Sequence, residues 1–397
     1  MNLFYYKRDL EIIVCDEKIK YDQSNIIIGN IMKLWRKIFG HNRRPSVLID
    51  LYSLRDLACG FGQIALNYAR RYSEIQKQKT EDYDISFLLP WWGKYPNSWS
   101  GVKCYRESPF LMKQLKPEIW HSPNQFCRVY PKDPKTKLIF TIHDYNFLFE
   151  ETPERKEKIL NVMQHRIDRA SVVTFISQFA YDVVKKHSNL EGKETRVIYD
   201  GVEFLADKSS TKPKFVRDAT PFFFAMGQFL PKKKFDLLLD VMKQFPDRIL
   251  YLCGQNNLCD YARETMERIQ KEHITNVIAP GVISNENRVW LYANCEAYLF
   301  PSIGEGFGLP AIEAMQFGKP VFVSSYQSLP EIVNDHGYIW PSLEPQEMAD
   351  YMKVKLEEYR KDKTFGDRAR KYAKTFSYES HIQQYLRLYR ELLSKCK

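Results

Sequence analysis

The sequence predicts an α/β protein of two doubly wound Rossmann-like domains facing a cleft, with a C-terminal helix that returns to the first domain. Three observations predict it. Short apolar runs alternate with helical segments on both sides of a polar, aperiodic stretch at residues 203–220. Glycine-rich turns follow several of these runs and open helices. A series of strand, loop, helix and strand implies parallel pairing, because parallel strands need a long crossover connection. At 397 residues the chain is long enough for two such domains.

Residues 1–44 precede the regular pattern as an extension without an assigned role. Glu11-Ile12-Ile13-Val14 and Asn25-Ile26-Ile27-Ile28 read as short strands. Ile31, Leu34, Trp35 and Ile38 recur at helical spacing, with Lys33, Arg36 and Lys37 off that stripe. That segment reads as a helix docked on the domain, or as a basic helix on a membrane surface. From Pro45 the alternation is regular. Val47-Leu48-Ile49, residues 85–89 (ISFLL), Ile119-Trp120-His121, residues 138–143 (LIFTIH), residues 172–177 (VVTFIS) and residues 196–199 (RVIY) read as strands. Residues 60–72 (GFGQIALNYARRY) open a helix after a glycine turn. This first domain runs over 1–204. Residues 205–376 form the second, with strands expected at 221–227, 249–254, 277–281, 297–300 and 321–323. Residues 377–397 hold the terminal helix.

Hydrophobic residues make up 44% of the chain and charged residues 27%, as in soluble globular proteins. No apolar stretch is long enough to span a bilayer. The N-terminal MNLFYYKRDLEIIVCDE carries acids within its apolar part and does not read as a signal peptide. A cytoplasmic location is expected, with peripheral contact at the inner membrane face as an extension of it. The cysteines stand at 15, 59, 104, 127, 253, 259, 295 and 396, without a C-x-x-C pair, so neither zinc nor redox chemistry is indicated. The net charge of +10 is uneven: residues 1–200 hold 32 basic and 24 acidic groups, the remainder 27 and 25. The first half should therefore meet an anionic partner. No nucleic-acid-binding framework accompanies the charge.

Residues 300–320, FPSIGEGFGLPAIEAMQFGKP, carry the chemistry. An apolar strand ends at Pro301, glycines punctuate a loop, and Pro310 suits the first turn of a helix. The bare N–H groups of Phe307, Gly308 and Leu309 would attract phosphate. Glu313 lies one turn into an otherwise apolar helix, where a buried carboxylate needs a partner or a ligand. It would accept from a ribose diol, and Glu305 would hold hydroxyls on the other side of the phosphates. Alone, either acid reads more simply as a solvated charge. Gly227-Gln228-Phe229-Leu230-Pro231-Lys232-Lys233-Lys234 ends the first strand of the second domain, where lysines can clamp a diphosphate as charge develops on it. His143 ends the LIFTIH strand, placed to contact a transferred sugar, with Asp144 orienting it or capping the next segment. Gly60-Phe61-Gly62-Gln63-Ile64-Ala65 matches a dinucleotide pattern only weakly, because it does not directly follow a strand. Gly62 is better placed to flank phosphates from the first domain. Asp82-Tyr83-Asp84 precedes its strand, which puts it at the wrong sheet edge for a metal beside a nucleotide.

Assembled, these residues resemble the family 4 glycosyltransferases, which have the two-domain GT-B fold. Glu305-Gly306-Phe307-Gly308-Leu309-Pro310 with Glu313 is similar to that family's E-x7-E element. Thr141-Ile142-His143-Asp144, Ile176-Ser177, Ile198-Tyr199-Asp200-Gly201-Val202 and Ser328-Leu329-Pro330-Glu331 match in order. The terminal FSYESHIQQYLRLYRELL looks like the family's returning helix. Many members have arginine where this chain has Gln228. The run from Gln228 to Lys234 is closer to bacterial O-antigen mannosyltransferase-like members.

The resemblance implies retaining transfer of a hexose from a nucleotide-diphosphate sugar, with neither a metal nor another cofactor required. GDP-mannose is a modest favourite as donor. The acceptor would be a glycan or lipid-linked glycan in cell-surface polysaccharide synthesis. His143, Lys233 and Glu305 would be catalytic. Gly62, Gly227, Gln228, Lys232, Phe307, Gly308, Leu309 and Glu313 would bind the donor. The rival readings are a nucleotide-sugar epimerase or a phosphorylase on the same fold, or a non-catalytic nucleotide-sugar or polyanion-binding protein.

Overall fold

The structure is a computed structural model and describes residues 44–57, 60–93, 95–96, 99–257 and 259–395. The strands and helix expected within residues 1–44 lie outside the described residues. Ser46–Lys397 forms one compact unit. It holds two parallel sheets. The first comprises β1 (Ser46–Asp50), β2 (Asp84–Leu89), β3 (Lys103–Arg106), β4 (Ile119–Ser122), β5 (Lys137–Ile142), β6 (Val172–Phe175) and β7 (Glu194–Val197). Their order is β3-β2-β1-β4-β5-β6-β7. The second comprises β8 (Phe222–Met226), β9 (Ile249–Cys253), β10 (Val277–Gly281), β11 (Ala297–Phe300), β12 (Val321–Val323) and β13 (Tyr338–Ile339). Its order is β10-β9-β8-β11-β12-β13. Both sheets start in the middle, wind outward one way, then return and wind the other way. This is the expected doubly wound architecture.

The central strands are apolar because both their faces are covered. β9 and β11 are buried along their whole length. The two strands that the sequence pattern does not reveal, β3 and β13, each lie at one edge of a sheet. β3 (KCYR) is at most half-buried, and β13 is two residues long. An edge strand lacks the continuous apolar run by which a buried parallel strand is read. β7 also begins two residues before the expected 196–199.

Six helices surround the loops at the carboxyl ends of these strands or seal the first sheet: α1 (Gly60–Gln78), α2 (Gln178–His187), α3 (Asn285–Asn294), α4 (Leu309–Met315), α5 (Leu329–Val333) and α6 (Tyr378–Ser394). The α6 helix packs on the first sheet through Tyr378, Ile382, Tyr385, Leu386 and Tyr389, which recur every three or four residues and share a core with α1. Its buried polar groups find partners there. The Tyr385 hydroxyl lies 3.1 Å from both Thr141 and Thr174. The Tyr389 hydroxyl lies 2.6 Å from His121 Nδ1 and 3.1 Å from the Tyr72 hydroxyl. His381 Nδ1 donates to the Tyr199 carbonyl at 2.6 Å. Left unpaired, each such group would cost about 1–3 kcal/mol, so the network specifies where α6 docks. The segment entering α6 passes beside the connection between the sheets: Val202 N donates to the Phe376 carbonyl at 2.8 Å. Among the described residues, no helix is long and apolar enough to cross a membrane.

Candidate active site

In the second sheet β8 and β11 are neighbours, yet their connections leave in opposite directions. That opens a crevice at their carboxyl ends, the place where such sheets bind ligands. Gly227 follows β8, and the 301–308 loop follows β11. Lys233 closes a short turn, Pro231–Lys233, and its ammonium group bonds the Glu305 carboxylate. Both side chains are only 14% exposed. Lys233 Nζ also lies 5.0 Å from the Phe300 ring centroid. Ser302 Oγ is 2.5 Å from Glu305 Oε1 and 3.2 Å from the Lys232 carbonyl, which ties the two loops together. Lys232 turns away and pairs with Glu150 of the first half at 2.9 Å. Gln228 is exposed.

The glycine loop is pressed against the first half. A Cβ on Gly306 would come within 2.6 Å of the His143 carbonyl oxygen. The Gly306 carbonyl in turn accepts from Ser177 Oγ at 2.8 Å. Gly308, with φ of +108°, makes the turn into α4 in a region open mainly to glycine. Phe307 is buried against Phe376, at 5.7 Å between ring centroids, so it anchors the loop by its side chain. The backbone N–H groups of Phe307, Gly308 and Leu309 have no acceptor among the described residues. Ser328 Oγ lies 2.8 Å from the Glu305 carbonyl and 3.0 Å from that of Phe307, holding the loop from α5.

Glu313 is 9% exposed on α4. It accepts from the Tyr292 hydroxyl at 2.9 Å and pairs with Arg288 at 3.3 Å, both from α3. Burial raises its pKa, and Arg288 and Tyr292 pull it back. Arg288 is held above its ordinary value by Glu313, and its Nε is buried without a partner. The two charged groups border a cavity of about 230 Å³ that is also lined by Gly60, Gln63, Met226 and Leu309. The cavity therefore lies between α1 and the crevice of the second sheet. The sequence signal for Arg288 and Tyr292 is faint, a four-residue spacing on one helix face. Gly62 itself is packed against the backbone of Asp56, and it is Gly60 and Gln63 that reach the cavity.

His143 is buried, and both its ring nitrogens are engaged. Nε2 lies 2.8 Å from the Pro123 carbonyl, and Nδ1 lies 3.4 Å from Asp200 Oδ2. Burial pulls its pKa down, but Asp200 and the Pro123 carbonyl outweigh that and leave it raised. The carboxylate facing the ring is thus Asp200, whereas chain proximity points to Asp144. Asp144 instead accepts from Asn146 N at 3.0 Å, in the turn that leads into residues 147–150. The sequence pattern also gives no sign of a second buried acid. Asp50 ends β1, at the winding reversal of the first sheet. Its Oδ1 accepts from Tyr52 N at 3.0 Å and its Oδ2 has no partner. Burial, reinforced by Glu107, pushes it up to about 8. Asp82 and Asp84 lie at the amino end of β2, away from the crevice.

Residues 207–372 match the family described as glycosyl transferases group 1. The chain is 24% identical over 307 residues to the O-antigen chain mannosyltransferase B of Escherichia coli, a match covering 72% of this chain and 78% of that protein. Among solved structures, the sucrose-phosphate synthase of Thermosynechococcus elongatus superposes with a TM-score of 0.68 at 19% identity, over 89% of this chain and all of that one. Anabaena HepE, solved in complex with UDP and glucose, gives 0.65 at 19% identity over 87% of this chain and all of that one. Residues 207–372 thus carry the pattern of the group 1 glycosyl transferases, within a chain that has the GT-B fold.

Proposed function

We propose that the protein is a retaining, metal-independent glycosyltransferase that moves a hexose, mannose by preference, from a nucleotide-diphosphate sugar to a glycan or lipid-linked glycan acceptor. It would work in cell-surface polysaccharide synthesis, on the cytoplasmic side and in peripheral contact with the membrane. The carrying observation is the placement of Glu313 and Arg288 on the 230 Å³ cavity. A nucleoside diphosphate entering there would give its ribose hydroxyls to Glu313. Its phosphates would meet the unpaired N–H groups of Phe307, Gly308 and Leu309. Lys233 would share its charge between Glu305 and the leaving diphosphate, and Glu305 would take donor-sugar hydroxyls. His143 would reach the sugar by exchanging its Pro123 contact for a sugar hydroxyl. The mannose preference rests on the relative from Escherichia coli, which is named as a mannosyltransferase.

The test is a thermal-shift panel of GDP, UDP, ADP, CDP and dTDP, each with and without magnesium, on the full chain and on Glu313→Ala. A ligand at a hundred times its Kd stabilises the folded protein by about 2.7 kcal/mol. The expected result is a rise with one nucleotide, independent of magnesium and absent in the variant. No rise with any of them overturns the donor site. A rise without sugar transfer to any glycan moves the reading to a binding protein.

A further inference from the structure

A second cavity, of about 770 Å³, shares no lining residue with the one at Glu313. The Glu305–Gly308 loop spans the two: Gly304, before it, lines the large cavity, and Leu309, after it, lines the small one. The large cavity is built from both halves of the molecule. Phe149 and Glu150 come from the segment after β5, and Lys232 and Gln327 from the loops after β8 and β12. The Glu150–Lys232 ion pair crosses the gap at 2.9 Å.

Its lining is largely apolar, from Phe149, Phe179, Leu230, Pro231, Ile303 and Tyr326, with a few polar groups set among them. Phe149 is 71% exposed and Tyr326 49% exposed, an unusual cost for rings that line a concavity. Aromatic faces carry negative charge density and pack against the C–H face of a sugar ring. Polar groups then have to fix the orientation. Gln327 is such a group. Its backbone is held at φ of +52°, a strained region for a residue with a side chain, and its Oε1 is buried with no hydrogen-bond partner among the described residues. A buried carbonyl oxygen without a donor is uncommon, and a hydroxyl group can satisfy it. Gln327 immediately precedes Ser328, which holds the Glu305 loop, so the residue that would read the hydroxyl is next in the chain to one that positions that loop.

We propose that this cavity takes the accepting saccharide, with Phe149 and Tyr326 as stacking faces and Gln327 as the residue that reads one of its hydroxyls. The assignment rests on the glycosyltransferase reading and adds the acceptor's place to it.

The experiment is saturation-transfer NMR on the full chain, saturated with whichever nucleoside diphosphate gives the largest thermal shift. The probes are the methyl α-glycosides of mannose, glucose and galactose. At least one glycoside should receive transfer with the nucleotide bound. Phe149→Ala and Gln327→Ala should each weaken it by roughly five-fold, the loss of one modest contact, while leaving the nucleotide shift unchanged. Gln327→Glu, which keeps an acceptor, should retain binding. Phe149 is exposed, so its variant tests the idea even where Gln327→Ala fails to fold. Equal transfer in Phe149→Ala and wild type, loss of the glycoside signal on adding nucleotide, or no transfer from any glycoside overturns the proposal. Failure of the glycosyltransferase reading itself shows separately, as a wild-type protein that no nucleotide stabilises.

Discussion

The Glu331 carboxylate caps the N-terminus of α2 at Phe179 and its neighbour: it accepts from Phe179 N at 2.9 Å and from Gln178 N at 2.7 Å. Glu331 belongs to α5 in the second half and Phe179 to α2 in the first. The pair is therefore a clasp across the cleft, reinforced by Ser177 on the Gly306 carbonyl. An acid at a helix N-terminus satisfies bare donors and meets the positive end of the helix dipole. Glu331→Ala should cost about 1 kcal/mol. It should lower the melting temperature by roughly 1 °C and increase the radius of gyration in solution scattering. Unchanged melting and scattering would show that the clasp holds nothing.

Lys233→Ala should reduce kcat by roughly a hundred- to a thousandfold, the scale of losing one preorganised group at developing charge. Nucleotide affinity should fall much less. Lys233→Arg should not restore the rate, since a planar fork cannot reproduce a point charge in a space shared with Glu305 and Phe300. Steady-state kinetics with any acceptor decide it, and a rise in KM matched by an equal fall in kcat/KM, with kcat intact, would remove Lys233 from the chemical step.

Asp200→Asn should lower the titration midpoint of His143, read from its ring proton shifts by NMR. The neighbouring carboxylate is what outweighs burial and keeps that midpoint high. A histidine with a raised pKa contributes stability that is complete below 6.5 and is lost as pH rises through the raised value. The variant should lose that pH-dependent part. An unmoved midpoint would mean that the Pro123 carbonyl alone sets the ring's state.

Asp50 works in the opposite chemical sense. Its ordinary value is 3.8 and its folded value about 8, so the folded protein holds its proton more tightly than the unfolded chain. The stability it contributes is complete below pH 3.8 and is lost progressively up to about pH 8. In Asp50→Asn the group cannot ionise. The variant should therefore gain on wild type across that window in urea unfolding, and the difference should level off above it. A constant difference from acid to alkaline pH would show that Asp50 ionises normally.

Asp82→Ala should leave nucleotide stabilisation intact and change folding stability by less than about 0.5 kcal/mol, as at other surface sites away from a packed feature. A folded but inactive Asp82→Ala protein would favour a metal at the D-x-D pair over the metal-free reading.

The central strands are legible because they are buried on both faces, and a run such as Ala297-Tyr298-Leu299-Phe300 has no other simple reading. β3 and β13 are not, since an edge strand needs no such run. The oddity of Glu313 among apolar neighbours points to a buried carboxylate in need of partners. Its partners are invisible in the sequence, because Arg288 and Tyr292 reach it through tertiary packing rather than through chain proximity. For the same reason chain proximity offers only Asp144 as an orienter of His143, beside its alternative role in the next segment, whereas the structure supplies Asp200 from more than fifty residues away. Carboxyl-end loops can be read as sites, but which loop faces which depends on winding order.

The docking of α6 on the first sheet has a consequence for how the protein is made. Tyr385 and Tyr389 complete hydrogen bonds begun by Thr141, Thr174 and His121, yet the ribosome delivers them only after the whole second sheet. Between the end of β7 at Val197 and Tyr378 lies the whole second sheet, roughly ten to forty seconds of synthesis at ordinary rates. For that time the amino-terminal half is fully synthesised but unsealed, its threonine hydroxyls and apolar face open to solvent and to chaperones. Loss of α6 through a premature stop would therefore injure the half of the molecule made first, and leave the half made last with its own core intact.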